Sequence, residues 1–263
     1  RRLDAALAAR GLARSRTHAH ELIEKGVVRV DGKPCIKPAF KVSQDSVLEI
    51  EGLSHYVSRA AHKLIAGLDA FDVSPTGRLA LDVGASTGGF TQVLLERGGA
   101  HVVALDVGRA QISPKLRGDD RVSIVEGVNA RYLTRENLAG LLKREYAADL
   151  VVADLSFISL TQVIPALIAT AAPHADFVML IKPQFEVGRT GVREGIVTNP
   201  ALREDAVNTV LWHAWDYGLG VSGIVSSPIL GGAGNHEYLV WLRAHGGDNP
   251  SQWMDTVHKI TGG

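Results

Sequence analysis

With 263 residues, the chain has room for one large domain, or for a small one beside a medium one. Hydrophobic residues make up 46% of it, which excludes a disordered chain; the single cysteine, Cys35, excludes an intrachain disulfide and fits a reducing compartment. The formal net charge is zero but unevenly placed: residues 1–41 carry ten Lys/Arg against four Asp/Glu, a net of +6, and the other 222 residues carry −6. A basic module on an acidic body suggests a polyanion partner; the plainer alternative is a solvated basic face. No apolar stretch follows Arg1-Arg2-Leu3-Asp4, so this start is not read as a secretory leader.

Leu3, Ala6 and Leu7 have helical spacing over residues 3–10, and Gly11 stops that helix. Ser15 is placed to cap a second helix, with Leu22 and Ile23 on its inner face and Gly26 at its end. Val27-Val28-Arg29-Val30 before Asp31-Gly32 signals a hairpin, and Val42, Val47, Leu48 and Ile50 suggest a last strand. Residues 1–50 thus read as a small α+β domain, and residues 51–58 as a linker whose Tyr56 is a candidate to pack on a domain. A helix follows over 59–71, with Leu64, Ile65 and Leu68 inward and Lys63 near its start. Strands are expected at 79–83, 101–106, 121–126, 149–154 and 176–182, separated by helical patterns. Those at 101–106 and 149–154 are nearly all apolar, as buried parallel strands are. Such alternation implies βαβ crossovers and a doubly wound α/β sheet over 59–263. A helix at 200–217 and an antiparallel pair at 219–226 and 236–243, around Gly231-Gly232-Ala233-Gly234, bring the sheet to seven strands, mostly parallel. The longest uncharged stretch, Leu155 to His174, is broken by Ser156, Thr161 and Pro165 and reads as a strand end plus a buried helix, not a membrane span.

Leu79 to Phe90 reads as a strand, a glycine turn and a helix start, in which glycines let the backbone pass close under a ligand. The spacing is not G-x-G-x-x-G, which argues against a dinucleotide, and no Gly-Lys-Ser/Thr follows, which argues against a Walker A loop. Asp82 before the first glycine would repel a diphosphate and can instead orient a cationic amino-acid ligand. Asp106 ends the next strand, where a carboxylate can accept both ribose hydroxyls. A glycine turn needed only for packing is the competing reading. The run resembles the first motif of class I (Rossmann-like) S-adenosylmethionine methyltransferases. That resemblance implies S-adenosyl-L-methionine as cofactor and S-adenosyl-L-homocysteine as product, held by Asp82, Gly84, Ala85, Ser86, Gly88, Gly89, Phe90, Asp106 and Asp154. Asn129, after the third strand, is placed by position near the adenine.

Asp154 and Lys182 fall at the carboxyl ends of the fourth and fifth strands, which line the ligand crevice of an open α/β sheet. A charge after a run as apolar as Phe177 to Ile181 is costly unless paired, so the two are expected to meet; the alternative is a purely structural ion pair. Lys63 and Glu237, taken singly, read as surface charges. In order, however, Lys63, Asp154, Lys182 and Glu237 resemble the K-D-K-E tetrad of FtsJ-like RNA ribose 2′-O-methyltransferases. The stretches 58–64, 82–90, 154–160 and 182–188 resemble the TlyA family, and Arg2-Leu3-Asp4, Gly11-Leu12-Ala13-Arg14-Ser15-Arg16, Val30-Asp31-Gly32 and Lys37-Pro38 resemble an S4 RNA-binding domain. The linker departs from the family pattern: Ser54 and Tyr56 stand where an aromatic motif with Arg and Trp is expected.

The resemblance implies 2′-O-methylation of cytidine in small- and large-subunit ribosomal RNA, one or both. The C-terminal stretch through His258-Lys259-Ile260 resembles the longer, dual-substrate form. A ribose hydroxyl is a weak nucleophile, and a lysine serves as its base only when neutral, a form that a second cation nearby favours. Lys182 is therefore expected as base and Lys63 as its modulator, with Asp154 and Glu237 orienting. Arg14 and Arg16 flank the start of the second helix, where backbone N–H groups also attract phosphate, and Arg2, Arg10, Lys37, Lys41 and Arg59 add charge for RNA. Phe157 either stacks on a displaced base or joins the core. No H-x-x-x-H pattern or Cys/His cluster suggests a metal. The expected setting is a cytoplasmic monomer acting on ribosomal RNA, away from membranes. Two other readings compete: a non-catalytic RNA-binding assembly factor, and a haemolysin, a label this family has carried and which the lack of a cationic amphipathic helix disfavours.

Overall fold

In the computed structural model, which describes residues 1–263 apart from Gly11, Arg14, Gly52, Leu53, Ser54, Gly263 and the side chain of Arg189, the chain divides into two units, Arg1–His55 and Tyr56–Gly263. The expected helix stop at Gly11 and the linker position Ser54 lie outside the described residues.

The first unit holds α1 (Leu3–Ala9), α2 (Arg16–Glu24), β1 (Val28–Val30), β2 (Lys33–Pro34) and β3 (Leu48–Ile50). Ser15 caps α2 as its position predicts, its hydroxyl accepting from the His18 N–H at 3.1 Å. The three strands pair antiparallel in the order β2-β1-β3, and Leu3, Leu7, Ile23 and Val28 close the core with no exposed surface. The last strand is shorter than expected. Val42 pairs instead with the chain start, donating its N–H to the Arg1 carbonyl at 2.8 Å, and Arg2 bridges Lys41. The loop between is held by the Arg10 guanidinium, which donates to the carbonyls of Ser43, Gln44 and Ser46. Arg10 is thus spent on structure.

The second unit runs α3 (Ala60–Phe71), β4 (Leu79–Val83), α4 (Gly89–Glu96), β5 (His101–Asp106), α5 (Pro114–Arg117), β6 (Val122–Glu126), α6 (Arg135–Leu142), β7 (Leu150–Ala153), α7 (Leu160–Thr170), β8 (Asp176–Ile181), α8 (Pro183–Glu186), α9 (Pro200–Asp216), β9 (Gly220–Ser226), β10 (Tyr238–Arg243) and α10 (Met254–Thr261). The seven-stranded sheet has the order β6-β5-β4-β7-β8-β10-β9; β10 is antiparallel to both of its neighbours and the other pairings are parallel. Alternating strand residues feed two cores. Leu81, Val83, Val103 and Leu105 face α6, α7, α9 and α10, while Ala80, Val102 and Ala104 face α3, α4 and α5. The parallel strands therefore read as unbroken apolar runs because both faces are covered. The uncharged stretch resolves into α7, 11 residues interrupted by Pro165. At about 16 Å it is far short of the ~30 Å of a bilayer core. Among the described residues, no helix is long and apolar enough to cross a membrane.

Candidate active site

A cavity of 550 Å³ opens at the carboxyl ends of β4, β5 and β7, lined in part by Gly84, Ser86, Asp106, Asn129 and Asp154. Its floor is main chain. Gly84 and Ala85 donate to the Leu105 carbonyl at 2.8 and 3.0 Å, and Asp154 N–H donates to Val83 at 3.0 Å. Gly84 has φ +81°, and a Cβ there would lie 2.4 Å from the Asp154 carbonyl oxygen. Only glycine lets these two strand ends come so close. Asp106 is fixed by two backbone donors, Ser86 at 2.8 Å and Gly108 at 2.7 Å, one on each oxygen. Each oxygen keeps a lone-pair site for a further donor. Asn129 caps the short turn that follows it, accepting from the Arg131 N–H at 3.0 Å.

Asp82 sits beneath this floor with no exposed surface. Its Oδ2 accepts from the Thr91 hydroxyl at 2.7 Å, and its Oδ1 is buried without a partner. Burial, reinforced by the neighbouring Asp154 and Asp106 charges, pushes its carboxyl up to about 7 against the Thr91 bond. The other motif residues act through packing. Ala85 and Phe90 are core residues; a Cβ on Gly88 would meet Leu116 at 2.3 Å, and one on Gly89 would meet Ser58 at 2.8 Å. These four do not line the cavity.

Beside the cavity, Lys182 and Asp154 meet at 2.6 Å, and the Lys182 ammonium also donates to the Ser156 hydroxyl at 3.2 Å. Lys63 and Glu237 form a second pair at 2.5 Å, with side chains only 9% and 2% exposed. Register explains part of this. Tyr238 lies opposite Ile181 in the antiparallel β8–β10 ladder, so Glu237 and Lys182 are the next residues off the two strand ends. Helix packing explains the rest. Gly67 has no side chain where Leu239 presses on α3, a Cβ there coming within 2.9 Å, and Lys63 lies one turn earlier on the same face. Gln184, two residues after Lys182 in α8, donates to Glu237 Oε1 at 3.2 Å, and its own Oε1 is buried without a partner. Ser156 and Gln184 lie inside stretches that the family resemblance marks, but neither was singled out in the sequence, and Gly67 carries no local signal that sets it apart.

On the rim, Phe157 is 91% exposed with φ +65°, its ring 5.1 Å from that of Phe185. A core role for Phe157 is therefore excluded. Tyr56 packs edge-on against His62 at 5.4 Å, and Arg59 directly precedes α3. In the first unit, Arg2 and Arg16 both pair with Asp4 at 3.0 Å, while Lys37 and Lys41 are exposed. Arg14 lies outside the described residues.

Residues 56–244 match the family model for FtsJ-like methyltransferases, and residues 1–48 match that for the S4 domain. The "16S/23S rRNA (cytidine-2′-O)-methyltransferase TlyA" of Mycobacterium tuberculosis is 51% identical over 245 residues, covering 92% of this chain and 89% of that protein. This chain belongs to the TlyA group of the FtsJ-like methyltransferases. Another relative, "Hemolysin A" of Brachyspira hyodysenteriae, is 37% identical over 90% of this chain and 98% of its own. The solved structure of a "Putative hemolysin from Streptococcus thermophilus" superposes with a TM-score of 0.76 at 35% identity, covering 99% of this chain and 94% of that one. The class I methyltransferase fold with an N-terminal S4 domain is thus the architecture of this TlyA-group chain.

Proposed function

We propose that the chain transfers the methyl group of S-adenosylmethionine to the ribose 2′-hydroxyl of a cytidine in ribosomal RNA, of the small subunit, the large subunit or both. One observation carries this reading: Asp154 both lines the cavity and holds Lys182 at 2.6 Å, so a lysine stands at the edge of the cofactor floor. The donor set fits the cofactor. An orphaned, buried carboxylate oxygen on Asp82 suits a cationic ligand, the Gly84 cradle leaves room, and Asp106 keeps acceptor sites for ribose hydroxyls. When bound, the cofactor supplies a methyl already activated on a sulfonium.

The chain must then orient and deprotonate the hydroxyl. Lys182 Nζ takes the 2′-hydroxyl proton. Asp154 and Ser156 hold that nitrogen in place, and the neighbouring Lys63–Glu237 pair, held in turn by Gln184, tunes and orients the site. Residues 1–50 grip RNA, 51–58 link, and 59–263 carry the chemistry. Phe157 offers an exposed ring beside Asp154 for a displaced base. The name of the Mycobacterium tuberculosis relative supports cytidine in 16S and 23S RNA as substrate. The protein acts as a monomer in the cytoplasm, where that RNA is assembled.

The test uses tritiated S-adenosylmethionine with 30S and 50S subunits that lack the modification, beside a Lys182→Ala control. Counts in ribosomal RNA that fall about 10²–10⁴-fold in the variant, while cofactor binding persists, are expected. They should map to a position that blocks alkaline cleavage. No counts in either subunit, despite measurable cofactor binding, overturn the substrate. Full activity of Lys182→Ala overturns the base. The relative named Hemolysin A gives a second reading a concrete check: leakage of liposomes by the pure protein would favour membrane damage over RNA chemistry.

A further inference from the structure

Asp4 is the buried charge of the first unit for which packing offers no account. It is 2% exposed, yet all of its acceptor sites are taken. Oδ1 accepts from Arg2 Nε at 3.2 Å and from the Ala5 N–H at 2.7 Å; Oδ2 accepts from Arg2 Nη2 at 3.0 Å and from Arg16 Nε at 3.0 Å. Its two cationic partners are not buried with it: their side chains are 48% and 59% exposed. An ion pair of this kind is weak evidence of stability, since burying a carboxylate costs about as much as the pairing returns. What it does achieve is geometric. Two guanidiniums from different elements, Arg2 before α1 and Arg16 at the start of α2, converge on one carboxylate. Among the described residues no other acceptor takes their remaining N–H donors. The Arg2 bond, helped by Arg16, holds the Asp4 carboxyl down to about 2, so it is ionised at any physiological pH. Lys41 lies directly across the bridge from Arg2 and is exposed, which extends the cationic row.

We propose that Asp4 is a positioning residue for RNA: its buried carboxylate holds the Arg2 and Arg16 guanidiniums side by side, with their open edges outward, as a preformed fork for backbone phosphate. The proposal rests on the reading that the first unit grips RNA. Arginine side chains lose considerable rotamer freedom when they bind a phosphate, and holding them in advance removes that cost from binding. The fork is planar and bidentate, so the geometry carries the effect and the charge count does not.

Charge and geometry here predict opposite signs. Removing a negative charge beside a phosphate site should tighten binding to a polyanion if charge alone matters. It should weaken binding if the carboxylate sets the fork. The experiment measures the anisotropy of a labelled stem-loop of ribosomal RNA against the full chain, from about 50 to about 200 mM salt. Four proteins are compared: wild type, Asp4→Asn, Arg2→Ala/Arg16→Ala, and the triple variant. Asp4→Asn is expected to bind about tenfold more weakly, with a salt slope shallower by about one, the signature of one lost phosphate contact. In the Arg2→Ala/Arg16→Ala background the same change should have no further effect. Binding as tight as wild type or tighter overturns the proposal, as does an equal loss in both backgrounds, which marks a general structural role. Should Asp4→Asn lower the melting temperature, Arg16→Lys gives the second check: it keeps the charge, and unchanged affinity with it overturns the fork. A wild-type chain that fails to bind the RNA sinks the underlying reading instead, so the two failures are distinct.

Discussion

Around the cavity, the Ser86 backbone N–H donates to the Asp106 carboxylate across 20 residues of sequence, while Lys63 and Glu237 meet from 174 residues apart. The first side is backbone: a positive φ at Gly84, two amides on Asp106, a carbonyl from Leu105. The second is side chain: two ion pairs, Lys63–Glu237 with a Gln184 amide on its carboxylate and Lys182–Asp154 with a Ser156 hydroxyl on its ammonium. The difference teaches where each side is vulnerable. A backbone cradle fails by crowding, because its atoms cannot move aside. A side-chain network fails by losing a partner, because each buried charge depends on another.

The sharpest way to test that contrast is to unpair the second side. Lys63→Met leaves Glu237, with a side chain 2% exposed, without its counter-ion. The expected cost is about 3–5 kcal/mol of stability, the usual penalty for stranding a buried charge. Lys63→Met/Glu237→Leu should cost far less than the sum of the two single changes, because it strands nothing. Urea unfolding of the four proteins completes the cycle. Additive losses would mean that the two groups do not act as a unit.

How much could be read from residue order follows the same divide. The sheet was legible because its parallel strands are buried on both faces and show as apolar runs. The cofactor turn was legible because its constraint is local: a strand, a glycine that accepts positive φ, and an acid on the next strand. Asp154 and Lys182 were legible as charges at the ends of apolar strands, and their pairing followed from the cost of leaving either alone. Lys63 and Glu237 were not legible from physics; only the resemblance singled them out. Their meeting depends on the β8–β10 register and on Gly67 letting α3 close on Leu239, and neither leaves a local mark. The same holds for Asp4: its arginines were read as RNA contacts, but the carboxylate that gathers them was not. In the other direction, Phe90 and Ala85 stood inside a recognised motif and were assigned to the ligand, whereas they fill the core. A motif marks a segment, and burial decides which of its residues face the cavity.

Crowding tests the first side. In Gly84→Ala, a methyl is placed 2.4 Å from the Asp154 carbonyl oxygen at a φ of +81°. Strain of this kind costs about 1–3 kcal/mol. Cofactor affinity measured by calorimetry should fall about tenfold or more, since the displaced strand end carries Asp154. Gly234→Ala is the control: its φ is +94°, but nothing lies within 4 Å of the added carbon, so only backbone strain remains. Equal effects at both positions would mean that close approach is not what Gly84 provides.

The smallest effect is read as a slope. The folded Asp82 carboxyl is pushed up to about 7, above its ordinary 3.8, chiefly by burial. Below pH 3.8 the group is protonated in both the folded and the unfolded chain and costs nothing. Between 3.8 and about 7 the unfolded chain gives up the proton while the folded one keeps it, so stability falls as pH rises. Above about 7 both are ionised and the loss is complete. The slope within that window approaches about 1.4 kcal/mol per pH unit, and Asp82→Asn should remove it. The same group then reports on the ligand without any turnover. A cation bound near Asp82 favours the carboxylate, so cofactor binding near pH 6 should release a proton, visible as a binding heat that changes with the ionisation heat of the buffer. Wild-type binding heats that do not depend on the buffer would separate Asp82 from the ligand's charge and leave it a core carboxyl held by Thr91.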